Sequence, residues 1–295
     1  MERYYELFLY YATMDTTCNI AHRPLRAPEL ILDLLIANGT ALSSQVLCRA
    51  GAVMGLSETA VRVALNRLCE QGKLRQPARG VYAVSPASRP LFGDVDAWRR
   101  KGAGMVAWNG DWVAVHDSLV QRSDKTAWRH HCLALALRGF AQFEPSLHLR
   151  PDNLEGGIEA LRANLPGLGL APQATMFRLT GLDATRQAQA RGLWNVDALE
   201  RQYAALAGAL EAHTARMRDK GVVDALRESL LLGREAIGLL VRDPLLPPEL
   251  MALDARQILM AAAARYQDAA RSLWRNWIQE IGGSGPTPAA NPEIH

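Results

Sequence analysis

The fold of the N-terminal part is decided by the stretch SETAVRVALNRLCEQGKL, residues 57–74. Ser57 is a preferred N-cap residue, so a helix is expected to begin beside it. Four apolar residues recur three and four positions apart along that helix and form one buried stripe: Val61, Ala64, Leu65 and Leu68. Gln71 and Gly72 then supply a stop signal.

The sequence on either side of this helix completes a known motif. Apolar spacing predicts two preceding helices, at residues 29–39 and 43–50, with a turn at 51–56. Two short β-like pieces follow between residues 74 and 84, separated by Ala78-Arg79-Gly80. Three helices followed by a hairpin is the order of a winged helix-turn-helix.

The helix at 57–71 leaves polar and basic side chains on its outer face. Arg62 and Asn66 are four residues apart and therefore neighbours on one surface. Arg reads guanine and Asn reads adenine in the major groove, while hydroxyls and further arginines contact phosphates. The residues predicted to contact DNA are Ser57, Thr59, Arg62, Asn66, Arg67, and on the hairpin Arg75 and Arg79.

The charge of the chain is concentrated on this motif. The whole sequence carries a formal charge of only +3, which gives little long-range attraction to DNA. Residues 40–90 contain seven Lys and Arg side chains against two Glu, a charge of +5, which leaves −2 for the rest of the chain. The local excess favours DNA binding over the alternative that the winged motif is a protein-interaction scaffold.

The rest of the chain changes character twice. Residues 111–180 predict the order β-α-β-β-α-β of a ferredoxin-like domain. From Leu193 the pattern is helical again, interrupted by the prolines of residues 242–248. The fold class is α+β, with an arm at 1–27, a winged helix domain at 28–90, a ferredoxin-like domain at 91–185, a helical domain at 190–280 and a disordered tail at 281–295.

Three segments, taken together, resemble the PaaX family of bacterial transcriptional repressors. Residues 58–74 are similar to that family's recognition helix and wing. Leu193-Trp194-Asn195-Val196 with Tyr203 resembles the start of its C-terminal domain. The most specific likeness is Arg242-Asp243-Pro244, with Leu246 and Pro247, followed by Ala255-Arg256 and Tyr266.

This resemblance implies a homodimeric repressor that leaves an inverted-repeat operator when a small inducer binds. In the best-known members the inducer is phenylacetyl-coenzyme A and the controlled genes degrade aromatic compounds. Aromatic walls and cationic side chains suit such a ligand. The candidate ligand residues are Trp108, Trp112, Trp128, Arg129, His130, His131, Arg138 and Trp194, although the tryptophans are also natural core residues.

Competing chemistry has weaker support in the sequence. His116, His130, His131 and His148 could converge on a metal, but adjacent helical histidines point about 100° apart. The middle domain also resembles in outline the small CRISPR-associated nuclease fold, with Asp117 after its first strand. No phosphate loop or nucleophile elbow occurs, so we expect neither catalysis nor a cofactor.

The cysteines and the N-terminus indicate the compartment. Cys18, Cys48, Cys69 and Cys132 lack the spacing of a zinc site or a disulfide framework, so reduced and mostly buried thiols are expected. The sequence has no signal-peptide pattern and no stretch approaching ~20 apolar residues. These observations predict a cytoplasmic protein.

Overall fold

The computed structural model describes residues 25–86, 98–217 and 219–282. The residues of the predicted arm before Leu25 and of the predicted tail after Gly282 lie outside these ranges. No helix in the described segments is long and apolar enough to cross a membrane.

The described chain forms two compact units. The winged unit contains residues 25–86, 213–233 and 265–282, and the sheet unit contains residues 98–212 and 234–264. Both units mix helices with one small antiparallel sheet, so the predicted α+β class is present.

The winged unit contains the predicted three helices and hairpin. Its first elements are α1 (Ala27–Asn38), β1 (Leu42–Ser43), α2 (Ser44–Val53), α3 (Glu58–Glu70), β2 (Leu74–Ala78) and β3 (Val81–Val84). The strand order is β1-β3-β2, with β1 and β2 both antiparallel to β3. Strand β1 was not predicted, because a two-residue strand has no periodicity to detect.

The helix ends follow from local chemistry. Ser43 Oγ accepts a hydrogen bond from the Val46 amide, and Ser57 Oγ accepts one from the Ala60 amide, both at 3.2 Å. Gly39 ends α1 in the left-handed conformation, with φ of 73°.

Helices α2 and α3 pack unusually closely at Gly51. A Cβ added to Gly51 would lie 2.5 Å from Val61 Cγ2, closer than side chains can approach. The four apolar residues predicted to point inward from α3 are all buried. The predicted turn from Gly51 is wrong, because the missing side chain lets α2 continue to Val53 against α3.

The sheet unit contains a four-stranded antiparallel sheet. Its elements are β4 (Trp112–His116), α4 (Lys125–Leu137), β5 (Ala141–Glu144), β6 (Leu147–Pro151), α5 (Gly157–Asn164) and β7 (Thr175–Leu179). The strand order β5-β6-β4-β7 is that of a ferredoxin-like sheet. Central strand β4 is buried on both faces, with Val113 and Val115 in one core cluster and Trp112 and Ala114 in another.

Four helices follow the sheet. They are α6 (Ala184–Arg191), α7 (Val196–Arg216), α8 (Val222–Val241) and α9 (Asp254–Gly282). Two 3-10 helices, Trp98–Gly104 and Pro166–Leu168, also occur. Helix α6 was not predicted, because Ala190 is its one buried residue and the others give no apolar period. Each of α7, α8 and α9 has residues in both units.

The segment after α8 is held in the sheet unit by a buried ion pair. Asp243 Oδ2 accepts a 2.6 Å hydrogen bond from Arg256 Nε, and both side chains are less than 5% exposed. Asp243 Oδ1 also accepts from the Leu245 amide at 2.7 Å, which supports the positive φ of 55° at Leu245. Asn153 Nδ2 donates to the Leu245 carbonyl at 2.8 Å. Asp243 of the Arg-Asp-Pro segment therefore stabilises the chain between α8 and α9.

Segments from the last three helices complete the winged unit. Arg227 of α8 donates two hydrogen bonds, of 3.0 and 2.8 Å, to the Val53 carbonyl at the end of α2. Trp274 of α9 donates from Nε1 to Ser229 Oγ at 3.1 Å. The end of α2 is therefore fixed by Arg227, a residue distant in sequence, and α8 is in turn bonded to α9.

Gly51→Ala is expected to lower the free energy of unfolding by about 1–3 kcal/mol, because the added methyl group overpacks the contact with Val61. Gly208→Ala is the matched control, since a Cβ there meets no heavy atom within 4 Å. That exposed helical position should gain about 0.5–1 kcal/mol. Urea unfolding followed by circular dichroism measures both, and a neutral or stabilising Gly51→Ala contradicts the close packing.

Asp243→Ala is expected to lower the free energy of unfolding by about 3–5 kcal/mol, because it leaves the Arg256 guanidinium buried without its counter-charge. Asp254→Ala, which removes an exposed carboxylate from the first turn of α9, is the control and should cost about 0.3–1 kcal/mol. Equal losses in the two variants, measured by urea titration, would show that the buried pair has no special role.

Candidate nucleic-acid interface

The outer face of α3 is exposed and carries most of the residues predicted to contact DNA. At 100° per residue, the positions opposite the buried stripe are Thr59, Val63, Asn66 and Glu70, and all four are exposed. Arg62 and Arg67 are also exposed and lie on the two flanks of this face. The predicted contacts Thr59, Arg62, Asn66 and Arg67 are therefore all accessible.

Val63 is a candidate contact that the sequence argument missed. Its side chain is 61% exposed in the middle of a polar face, where an apolar residue has no packing partner. Valine methyl groups suit contact with the thymine methyl in the major groove. Counting the helical angle from the buried stripe would have identified it.

Arg62 is engaged by a neighbour on its own helix. Glu58 Oε1 accepts hydrogen bonds from Arg62 Nε at 2.8 Å and Arg62 Nη2 at 2.6 Å. This hydrogen bond raises the pKa of Arg62, so the guanidinium stays charged. Both side chains are about 60% exposed, so the pair is open to water and is expected to contribute little to stability. Arg62 must leave or share Glu58 to contact a base.

Ser57 has a structural role before any contact with DNA. Its oxygen already caps α3, while its hydroxyl hydrogen can still be donated to a phosphate.

The hairpin places two arginines beside α3 in the same unit. Arg75 pairs with Ala83 on β3 and is exposed, and Arg79 is exposed at the turn between β2 and β3. Gly80 completes that turn with φ of 73°, and its carbonyl accepts from the Ser44 amide at 2.7 Å. Of the two predicted phosphate contacts, Arg79 therefore lies on a turn that is fixed to α2, and Arg75 lies on the strand that leads into that turn.

The predicted ligand residues do not form one site. Trp108, Trp112 and Trp194 lie in an apolar cluster, with Trp112 and Trp194 stacked at 6.2 Å. Trp108 Nε1 donates to the Asp111 carbonyl at 2.6 Å, and Trp112 Nε1 donates to Gln187 Oε1 at 2.9 Å. These satisfied indoles have the geometry of core residues.

A second group surrounds a buried carboxylate. Asp117 Oδ2 lies 3.1 Å from both His131 Nε2 and His148 Nε2, and Asp117 and His131 are at most 1% exposed. The Ala171 amide donates to His131 Nδ1 at 3.2 Å, so the His131 proton lies on Nε2 and points at Asp117. Trp128 stacks on His131, and Arg122 lies over Trp128 at 4.6 Å.

The pKa directions fit a neutral imidazole beside a carboxylate. Burial, outweighing the opposing effect of Asp117, lowers the pKa of His131. Burial tends to raise the pKa of Asp117, but its hydrogen bonds to His131 and His148 hold it below the ordinary value. Within the described ranges, no cluster of three or more His, Cys, Asp or Glu residues is arranged to hold a metal ion. His116 is exposed and is not among the partners of Asp117 in these hydrogen bonds.

The remaining predicted ligand residues are dispersed. Arg129 is exposed on α4 and His130 is half-buried. Arg138, at the end of α4, lines a cavity with Lys101 and Arg150, which the sequence argument did not name. Those residues come from three separate elements, so no local spacing could have revealed them.

The cysteines are free thiols wherever they are described. Cys48 is buried and Cys69 is half-buried. Cys132 is exposed, so the expectation of burial is wrong there, because it falls on the outer side of α4.

The winged elements match a family of regulators. Residues 29–85, from α1 to the end of β3, match the family described as "Transcriptional regulator, AbiEi antitoxin". This part of the chain is thus similar to a transcriptional-regulator domain. No curated protein matches the chain.

A solved structure extends the likeness beyond that domain. The uncharacterized protein Rv0674 from Mycobacterium tuberculosis is 21% identical, with a TM-score of 0.53, over 83% of this chain and 99% of that chain. At this identity the likeness shows a shared fold alone.

Glu58→Gln is expected to strengthen DNA binding, because it releases Arg62 to contact the nucleic acid. The freed guanidinium then contributes its charge at the DNA surface, so the plot of log affinity against log salt concentration is expected to become steeper, by up to about 0.9. Fluorescence anisotropy with duplex DNA at several salt concentrations measures that slope. Glu70→Gln, on the same helix, removes the same charge without releasing an arginine. An equal change of slope in both variants would contradict a specific role for the Glu58 pair.

Proposed function

We propose that this protein regulates transcription by inserting α3 into the major groove of double-stranded DNA. The observation that carries the proposal is the outer face of α3, where Thr59, Val63 and Asn66 are exposed together between two arginines. A helix fits the major groove, and this combination offers donors, an acceptor and a methyl contact to base edges.

The hairpin and the local charge support the same placement. Arg75 and Arg79 are exposed on the wing, where they can hold the phosphate backbone while α3 contacts bases. The formal charge of +5 between residues 40 and 90 supplies the attraction that the whole chain lacks. Phosphate contacts set position and affinity, while the α3 face sets sequence preference.

The finer proposal is a homodimeric repressor of the PaaX type acting in the cytoplasm. Its support is the succession of winged helix, ferredoxin-like sheet and helices, together with the motifs at residues 58–74 and 242–256. Two-fold symmetry then implies an inverted-repeat operator with half-sites one or two turns apart. A small aromatic acid or its coenzyme A ester would release the repressor by binding one of two conformations more tightly.

The family match favours a second role, that of an antitoxin. An antitoxin would protect cells from a toxin encoded beside it, whereas an operon repressor would not. Co-expression with the adjacent gene, followed by growth measurement, separates these roles. A protein-interaction scaffold is the third reading, and it predicts no sequence-specific DNA binding.

We propose no catalytic role for the ferredoxin-like sheet. Asp117, the residue in the position of a nuclease carboxylate, is buried and hydrogen-bonded to two histidines. Incubating the protein with plasmid DNA and Mg²⁺ or Mn²⁺ tests this, and cleavage lost in Asp117→Asn would overturn it.

Gel shifts with the DNA upstream of the protein's own gene test the main proposal. Asn66→Ala and Arg62→Ala are each expected to weaken specific binding by about 1–3 kcal/mol and to relax the preference for that site. Arg79→Ala should weaken specific and non-specific binding alike and reduce the salt slope by about 1.

Arg129→Ala is the matched control for loss of one exposed arginine outside the winged unit. It should leave DNA affinity unchanged. Wild-type affinity in Asn66→Ala, or no retardation of any upstream fragment by the unmodified protein, would contradict binding through α3.

A further inference from the structure

The last carbonyl of α2 receives its hydrogen bonds from a distant part of the chain. The last four carbonyls of an α-helix have no donor within the helix. In α2 the first three of these accept from the backbone amides of the turn that follows, those of Met54, Gly55 and Leu56. The fourth, the Val53 carbonyl, accepts from Arg227 Nε at 3.0 Å and from Arg227 Nη2 at 2.8 Å. A residue 174 positions later in the sequence thus caps this helix.

The capped end of α2 is closely coupled to α3. Only the four residues 54–57 connect the two helices. The Leu56 amide donates to the Gly51 carbonyl at 2.8 Å, and Gly51 is the residue against which Val61 of α3 packs. Because this connection is short and folds back onto α2, a displacement of the end of α2 is transmitted to the start of α3.

Arg227 projects from a part of α8 that is itself fixed. Leu226 and Ser229, which lie on either side of it in the sequence, are both buried. Ser229 Oγ donates to the Leu226 carbonyl at 2.8 Å and accepts from Trp274 Nε1 of α9 at 3.1 Å. This turn of α8 is therefore bonded to α9 without the help of Arg227, so the guanidinium reaches Val53 from a stable base.

A guanidinium suits the C-terminal end of a helix in both charge and shape. The carbonyls at that end carry partial negative charge, which a cation stabilises. The N–H groups of a guanidinium lie in one rigid plane, so two neighbouring donors can converge on a single oxygen. A lysine ammonium has no such fork and is expected to replace the arrangement only in part.

A second contact holds α2 within the same unit. Arg49 Nη1 donates to the Ile281 carbonyl, near the end of α9, at 3.2 Å. Helix α2 is therefore bonded to segments of both α8 and α9, and all these residues belong to the winged unit.

We propose that Arg227 is a positioning residue for DNA recognition, which fixes the presentation of α3 to the major groove by capping the end of α2. It acts through the Val53 carbonyl and the turn at 54–57. This role rests on the proposed function and extends it, because it adds part of α8 to the structure that reads DNA. The reading unit then includes residues 213–233 and is larger than the winged motif of the sequence prediction.

A direct contact with a phosphate is the alternative role for Arg227, since its side chain is exposed. The two roles differ in their dependence on salt. A phosphate contact contributes about 0.9 to the slope of log affinity against log salt concentration, whereas a positioning residue contributes nothing to it. A phosphate contact also strengthens binding to any duplex, whereas the presentation of α3 matters only where bases are read.

Arg227→Met tests the proposal, because methionine keeps an unbranched side chain and removes both donors. Specific affinity of the full-length protein for the upstream DNA is expected to fall about tenfold, the usual effect of a lost charge-assisted hydrogen bond. Affinity for an unrelated duplex and the salt slope should not change. Arg227→Lys should lose specific affinity by a smaller factor. Fluorescence anisotropy at several salt concentrations measures all of these quantities.

Tyr266→Phe is the matched control for a general loss of stability. It removes the buried hydrogen bond between Tyr266 Oη and His213 Nδ1, at 2.9 Å in the same unit, and leaves the bonds to Val53 in place. Its melting temperature should fall. The ratio of specific to non-specific affinity, measured well below that temperature, should equal that of the unmodified protein.

Hydrogen exchange of the free protein tests the cap without DNA. The amides of Met54 and Leu56 bond back to α2, so their exchange reports whether the turn is held. Peptides that cover residues 50–60 are expected to exchange several-fold faster in Arg227→Met than in Tyr266→Phe or the unmodified protein. Equal exchange in all three proteins would contradict a role for Arg227 in holding the turn.

The binding results separate this inference from the proposed function. Absence of specific DNA binding by the unmodified protein would overturn both. Specific binding that Arg227→Met leaves unchanged, or a salt slope that falls by about 0.9 in that variant, would overturn the positioning role alone. So would an equal loss of the specific-to-non-specific ratio in Arg227→Met and Tyr266→Phe, because general instability would then explain both.

Discussion

The contact between Gly51 and Val61 is the constraint on which the winged unit depends. Without a Cβ at Gly51, α2 approaches α3 closely enough for the apolar stripe of α3 to be buried completely. Burying one side of a 13-residue helix leaves the opposite side outward. The face that carries Thr59, Val63 and Asn66 is therefore a geometric consequence of apolar packing between two helices.

The sheet unit depends in a similar way on one polar contact, the buried ion pair between Asp243 and Arg256. Asp243 accepts from Arg256 and from the Leu245 amide, so it holds the proline-rich segment in a conformation that the backbone alone disfavours. Gly139 allows Pro244 to approach, since a Cβ there would lie 2.4 Å from the Pro244 carbonyl oxygen. The Arg-Asp-Pro segment that carries the resemblance to the PaaX repressors is thus explained by structure. Asp243 and Pro244 of this segment also line the cavity that contains Lys101, Arg138 and Arg150.

Much of the winged unit could be predicted from sequence because its signals are local. Ser43 and Ser57 cap the helices they precede, and the stripe from Val61 to Leu68 has a clear helical period. Elements without such signals were missed, namely the two-residue β1 and the largely exposed α6. Apolar periodicity identifies elements that bury one face, and it gives no signal for very short or largely exposed elements such as β1 and α6.

The candidate sites differ in the same way, because only a site whose residues belong to one local element could be predicted from the sequence. The α3 face could be predicted because all its residues belong to one helix. The cavity could not, because Lys101, Arg138 and Arg150 are adjacent only after the sheet has formed. Proximity in sequence grouped Trp108, Trp112 and Trp128, but β4 and α4 direct them into separate clusters.

The central claim is that α3 reads bases in the major groove, and chemical protection of the bound DNA tests it most directly. Dimethyl sulfate attacks guanine N7, which lies in the major groove, and adenine N3, which lies in the minor groove. The account predicts that the protein protects guanine N7 within its site and that Arg62→Ala loses this protection. Protection confined to adenine N3, or unaltered by Arg62→Ala, would contradict it.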